Sequence, residues 1–412
     1  MIKYNLQPIM VIFCAIILFS ACQPATRQMK EGRWRGEFVL PENRIPFIFE
    51  VSVTKPDSTV VYLVNGAERV QLKNISYRND SVFIPIDLFD ALLAGKLSDN
   101  ALSGKFIRLT TLKPDEGISF VAEAGNAPRF PVGSGASSIS LSGTWDILIG
   151  TGAEVDKMVG IFEQAGSLLS GSILTDSGDY RYLDGAVQGN KFRLSAFSGN
   201  TPYLVTGEFT SDSTFTGEFV TSRRTFKMEG KRNPKAALAD PYSFSKLKEG
   251  YSSIEFTFPN LENVPVSLSD PKYKGKVVIV TILGSWCPNC LDEAAFLAPW
   301  YIKNKDRGVE IIGLAFERKN DFEFAQRTLT RLKNRFDIRY ELLFAGLAGT
   351  ESASKALPAL TGISAFPSSI FIDKKGHVRK VHSGFSGPAT GKYYQEFQAE
   401  FNSLMDELLA EK

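Results

Sequence analysis

Val277-Val278-Ile279-Val280-Thr281-Ile282-Leu283-Gly284-Ser285-Trp286-Cys287-Pro288-Asn289-Cys290 carries the plainest structural signal in this chain. Its first seven residues are an apolar, β-branched run that reads as a fully buried strand. Gly284-Ser285 makes a short turn, and Leu291-Asp292-Glu293-Ala294-Ala295-Phe296-Leu297 beyond it reads as an amphipathic helix. Two cysteines three apart therefore sit where a strand feeds a helix N-terminus. Unpaired backbone N–H groups and the helix dipole favour an anion there, so a thiolate at Cys287 is expected to be stabilised. A second thiol one turn on can resolve a mixed disulfide formed by the first. The pattern points to dithiol–disulfide exchange. The competing reading is half of a structural zinc site, which needs four ligands. Outside the pair and the N-terminal apolar stretch, the chain offers only Cys22, His377 and His382, so no metal is expected.

Around this motif the composition is ordinary. The 412 residues call for two or three domains, and 43% apolar with 22% charged content suits a soluble globular protein. A net charge of +2 without any Lys/Arg-rich run gives no reason to invoke nucleic acid. Of the four cysteines, Cys14 lies in the apolar stretch and Cys22 ends it, which leaves the C-x-x-C pair alone in the mature fold. A chain without spare thiols fits an oxidising compartment.

The N-terminus fits export. One charge, Lys3, precedes an apolar run over residues 9–19 that is too short to span a bilayer and matches a signal-peptide core. It ends in Leu18-Phe19-Ser20-Ala21-Cys22, similar to a bacterial lipobox, although Phe19 replaces the usual aliphatic residue. The expectation is a signal peptide over 1–21, lipid attachment at Cys22, a tether over 22–30 and a place in the bacterial cell envelope, facing the periplasm. An ordinary secretory signal and an uncleaved anchor are the alternatives.

From about residue 31 to 232 short alternating runs are separated by Gly, Asn, Asp and Ser turns, an all-β pattern. It repeats itself. Gly32-Arg33-Trp34 recurs as Gly143-Thr144-Trp145, Ile48-Phe49-Glu50 as Ile161-Phe162-Glu163, and the stretch ending Ser103-Gly104-Lys105-Phe106 as the one ending Thr216-Gly217-Glu218-Phe219, at spacings of 111 to 113 residues. Two copies of one β unit, a small barrel or sandwich, are expected over 31–126 and 140–232, joined by a linker over 127–139. Trp34 and Trp145 would plug the two cores. No catalytic constellation shows in these copies. After a second linker over 233–247 the pattern changes, and strands alternating with helices over 248–412 indicate an α/β sheet closed by a hairpin.

Lys274-Gly275-Lys276-Val277-Val278-Ile279-Val280, Trp286-Cys287-Pro288-Asn289-Cys290 and Phe366-Pro367-Ser368-Ser369-Ile370-Phe371-Ile372-Asp373 occur in the order found in the thioredoxin superfamily. Residues from about 250 onward resemble its TlpA/ResA-like exported disulfide reductases; the two β copies lie outside that likeness. The resemblance implies a thioredoxin fold with Cys287 as attacking nucleophile, Cys290 as resolving thiol and a reversible Cys287–Cys290 disulfide. It also implies Pro367 as a cis-proline facing the pair, with Trp286 and Phe366 beside the bound peptide. Thr281 stands where many thioredoxins carry a buried acid, and Glu293 falls where the TlpA/ResA-like branch places a Glu able to carry the resolving thiol's proton. A solvated first-turn Glu is the plainer reading. His377 and His382, near a sheet edge, read as solvated and without a role. No cofactor beyond the dithiol is implied. The partners implied are protein disulfides, an upstream membrane thiol donor, and the membrane itself through the lipid. Rival functions are a thioredoxin-fold peroxidase, whose Thr and Pro before the cysteine are missing here, and a binding module with a vestigial redox domain.

Overall fold

The computed structural model describes residues 27–55, 58–110, 117–132, 139–151 and 154–412. The signal segment and Cys22 lie outside the described residues. Among the described residues, two nine-stranded antiparallel sheets are followed by a five-stranded mixed sheet carrying four α-helices, so the fold is a duplicated β region joined to a C-terminal thioredoxin-like α/β domain.

The two β sheets follow matching strand orders. In the first, Gly32–Val39 lies between Arg44–Lys55 and Ile118–Ala124; in the second, Gly143–Thr151 lies between Glu154–Ala165 and Thr225–Arg232. The second closes on itself as a barrel, because Leu168–Thr175 pairs with both Glu154–Ala165 and Leu183–Gln188. Among the described residues the first stays open between Glu68–Leu72 and Ser76–Arg78. Trp34 and Trp145 are fully buried, each donating its indole N–H to the carbonyl four residues upstream, Lys30 (2.9 Å) and Leu141 (2.8 Å). Equivalent glycines meet where strands approach closely. A Cβ on Gly104 would lie 2.0 Å from the Ala94 carbonyl oxygen, and one on Gly217 2.0 Å from that of Thr206. Only glycine fits there, which explains why this short stretch stays recognisable in both copies.

The connector between the copies is tied down. Arg129 is buried, pairs with Asp184 (3.2 Å), and donates to Pro46 O (3.2 Å) and Ser195 Oγ (3.1 Å), so one side chain staples the first copy to the second.

In the C-terminal sheet the order is Glu341–Leu347, Val309–Glu317, Val277–Leu283, Ser368–Ile372, Val378–Ser383. The first three strands run parallel, and each of the last two runs antiparallel to the strand before it in this order. All seven residues of Val277–Leu283 are buried, as a central strand covered on both faces requires. Helix α1 (Pro288–Asn304) starts directly after Cys287. Pro288 suits the first helical position, where its missing N–H costs no hydrogen bond. Helix α2 (Phe322–Phe336) is capped by Asp321, which accepts the Phe324 N–H at 2.6 Å, and ends at Asp337 in the left-handed region (φ 52°). A short α3 (Thr350–Ala356) and a long α4 (Lys392–Ala410) complete the domain. One contiguous apolar core runs from the first β copy into this domain, joining residues such as Phe38 and Phe197 to Val277 and Phe366. Among the described residues no helix is long and apolar enough to cross a membrane.

Candidate active site

The buried strand Val277–Leu283 delivers the chain to a tight corner. Glu317, at the end of the neighbouring strand, accepts the Ser285 N–H (2.9 Å) and hydroxyl (2.7 Å), and the Trp286 indole N–H donates to Phe316 O (2.8 Å). Burial pushes the Glu317 carboxyl up to about 7, against the bonds from Ser285. These contacts aim Cys287 at the start of α1, where its Sγ caps the helix by accepting the Cys290 N–H at 3.3 Å. Cys287 also reaches the carbonyl oxygen of Phe366 at 3.5 Å, and the Phe366–Pro367 bond is cis. Both thiols are free; Cys287 is 6% and Cys290 3% exposed. Burial, together with the hydrogen bond and charge of Cys287, raises the Cys290 pKa well above its ordinary value. The two thiols thus differ in setting: Cys287 caps the helix, while Cys290 is the more buried and is raised in pKa.

Glu293 lies beside the pair on the same helix. It is buried at 3% exposure, one helical step below Cys290, and its carboxylate accepts the hydroxyls of Thr281 and Ser369, the latter at 2.8 Å. Thr281 and Glu293 are thus bonded directly to each other. Burial raises the Glu293 carboxyl to about 7, opposed by those two hydroxyls, and its charge in turn helps raise Cys290. A carboxyl titrating near neutrality beside a high-pKa thiol can shuttle a proton in either direction.

Trp286, Cys287, Cys290, Glu293, Phe366 and Pro367 are brought together. The Trp286 and Phe366 rings lie 5.6 Å apart beside the dithiol. The solvated reading of the second histidine is corrected: His382 is buried between Tyr242 (5.0 Å) and Phe397 (5.3 Å), and burial lowers its pKa to about 4. His377 is exposed.

The β copies reach this site, which the sequence did not reveal. Asn289, inside the C-x-x-C, packs on Gly178 so closely that a Cβ on that glycine would sit 2.0 Å from the Asn289 side-chain amide. In the orientation that satisfies both partners, the Asn289 amide donates to Asp179 O (3.1 Å) and accepts from Asp179 N–H (3.3 Å). Arg181 follows, bonding Glu68 of the first copy (2.5 Å), the Pro288 carbonyl oxygen (3.2 Å) and Asp292 on α1. Burial works against the Arg181 charge, but Asp292 and Glu68 outweigh it and keep the guanidinium protonated. Burial raises Asp292 to about 6 despite Arg181. Asp179, also buried, accepts the Gly387 N–H at 2.7 Å. All three parts of the chain therefore meet at the N-terminus of α1. The signal that could have found this contact was Asn289, a polar residue inside the motif with no local partner.

A buried strand, a dithiol at a helix start and a Phe-Pro loop facing it define a thioredoxin-fold redox protein. Residues 248–395 match the Redoxin family. The chain is 30% identical over 152 residues to the thiol-disulfide oxidoreductase ResA of Bacillus thuringiensis subsp. konkukian, covering 37% of this chain and 78% of that protein. It is 26% identical over 169 residues to the thiol:disulfide interchange protein DsbE of Pseudomonas aeruginosa, covering 41% and 83%. Among solved structures, a thioredoxin-family thiol:disulfide interchange protein from Chlorobium tepidum is 20% identical with a TM-score of 0.30, covering 40% of this chain and 99% of that one. The chain belongs to the ResA-like, Redoxin-domain family of thiol-disulfide oxidoreductases.

Proposed function

We propose that this protein is an exported, lipid-anchored reductase of protein disulfides. Cys287 thiolate attacks one sulfur of the substrate disulfide, forming a mixed disulfide and expelling the other sulfur as a thiolate. Cys290 gives its proton to Glu293 and attacks the Cys287 sulfur. The products are the Cys287–Cys290 disulfide, the second substrate thiolate and a protonated Glu293 that can return its proton to a leaving thiolate. Two electrons have left the dithiol; a second dithiol, supplied by an upstream membrane thiol donor, restores them. Trp286 and Phe366 flank the bound peptide.

The observation that carries this reading is the pairing of a helix-capping Cys287 Sγ with a buried Cys290 whose pKa is raised and which lies beside Glu293. The test is a single turnover. Fully reduced protein is mixed with excess disulfide-linked peptide and no other reductant. The reading expects two peptide thiols per protein and a Cys287–Cys290 disulfide in the peptide map; no thiol release would overturn it. Attachment through Cys22 is tested separately, since Cys22→Ser should move the full-length protein out of the membrane fraction.

A further inference from the structure

Three residues of the Trp286–Cys290 pentapeptide are not cysteine, and the second β copy bonds all three. Asn200 donates to the Trp286 carbonyl oxygen (3.4 Å) and Arg181 to that of Pro288 (3.2 Å), while the Asn289 amide pairs with the Asp179 backbone at 3.1 and 3.3 Å. Asp179 is itself fixed, its carboxylate accepting the Gly387 N–H (2.7 Å) and the Arg181 N–H (2.6 Å). Arg181 is held more firmly still. Its Nε (2.8 Å) and Nη2 (2.5 Å) both reach Glu68 Oε1, and Glu68 accepts in turn from Asn65 (2.8 Å) and Ser198 (2.5 Å). A planar guanidinium gripped along that edge directs its remaining Nη1 at Pro288 O and Asp292 on α1.

Oxidation changes the charge at this spot. As the disulfide forms, a Cys287 thiolate and the Cys290 thiol lose two electrons and one proton between them, so a negative charge at the start of α1 disappears. A cation fixed on the residue after Cys287 favours the state that carries that charge. Glu68 and Asp292 share the Arg181 charge and weaken its field at the sulfur. Both carboxylates remain when Arg181 is replaced, so they diminish the resulting shift without reversing it. We propose that Arg181, seated by Asp179 and Glu68, is a positioning residue of the dithiol, through which the second β copy holds Pro288-Asn289 and biases the equilibrium towards the reduced form. The proposal rests on the dithiol-exchange reading above and gives the β copies a part in that reaction.

The test equilibrates full-length protein against mixtures of reduced glutathione and glutathione disulfide at about pH 8, above the Asp292 pKa of about 6. Glutathione disulfide takes the two electrons and leaves as one thiol and one thiolate, and the fraction of Cys287–Cys290 disulfide is read by mass spectrometry after alkylation. Arg181→Met should move the equilibrium constant about fivefold towards the disulfide, a potential about 20 mV lower at roughly 30 mV per tenfold. Arg181→Lys, which keeps the charge but not the fork, should recover part of that shift. Asp292→Asn is nearly isosteric, leaves Arg181 on Glu68 and Pro288, and removes an anion from α1, so it should move the constant the other way, towards the dithiol. Loss of packing alone does not give opposite signs at the two ends of one ion pair. An Asp292→Asn constant within about twofold of wild type, or shifted towards the disulfide, would overturn the proposal even where Arg181→Met fails to fold. So would a folded Arg181→Met whose constant is unchanged or moves towards the dithiol. A wild-type protein that forms no Cys287–Cys290 disulfide at any glutathione ratio would instead strike the exchange reading beneath it.

Discussion

Glu293→Gln isolates the proton carrier from the thiols it is held to serve. In the folded protein the Glu293 carboxyl is raised from 4.5 to about 7, chiefly by burial. A carboxyl raised on folding stabilises the native state fully below its unfolded pKa, and that stability is lost as pH climbs through the folded value. At 1.36 kcal/mol per pKa unit, the loss between roughly pH 4.5 and pH 8 is about 3 kcal/mol. Gln nearly preserves the shape and can still meet Thr281 and Ser369, but it does not titrate. The variant should therefore gain about 3 kcal/mol on wild type as pH rises from 5 to 8.5. The assay is urea unfolding across that range, with both proteins carrying Cys287→Ser and Cys290→Ser so that thiol titration does not contribute. In the dithiol background the same substitution should slow mixed-disulfide resolution and flatten its pH dependence near 7. Superimposable stability profiles with and without the Glu293→Gln substitution would refute the argument and return Glu293 to an ordinary helix-start acid.

Arg181→Met leaves Glu68 and Asp292 buried without their shared cation, a change that costs about 3–5 kcal/mol when a buried charge loses its partner. Because Asp292 escapes by protonating, the drop in thermal midpoint should be larger at pH 8 than at pH 5; equal drops would mean the ion triad is not intact. Gly178→Val places a side chain into Asn289 and should part the second β copy from the C-x-x-C, seen as faster alkylation of Cys287 in the full-length protein. Unchanged alkylation would show that this contact does not shield the thiol. In wild type, Cys287 should alkylate before Cys290 at every pH up to about 9, as peptide mapping will report, since Cys290 is both more buried and raised in pKa.

Much of the site was legible because its signals are local. The β-branched run before Gly284, Pro288 at the first helical position and Glu293 within one turn of Cys290 all act through neighbours in sequence. Thr281 was legible as a departure from the acid many thioredoxins carry, and it bonds directly to Glu293. The repeat showed through Trp34 and Trp145 because burial fixes a large indole, and through Gly104 and Gly217 because no Cβ fits between the strands. Glu68 and Arg181 were invisible for the opposite reason. Each reads as a charge in a turn-rich β stretch, yet their contact spans 113 residues and acquires meaning only once Asp292 joins them. Glu317 likewise reads as the polar end of a strand until its bonds to Ser285 are seen. His382 carried no periodic signal that separates a buried ring from a solvated one.

The most direct trial of dithiol exchange is to trap its intermediate. Reduced Cys290→Ser protein, mixed with a disulfide-linked peptide and analysed intact and after digestion by mass spectrometry, should hold one peptide as a stable mixed disulfide at Cys287. Cys287→Ser under the same conditions should hold none and release no thiol. An absent adduct, an adduct at another position, or wild-type thiol release by Cys287→Ser would contradict the account.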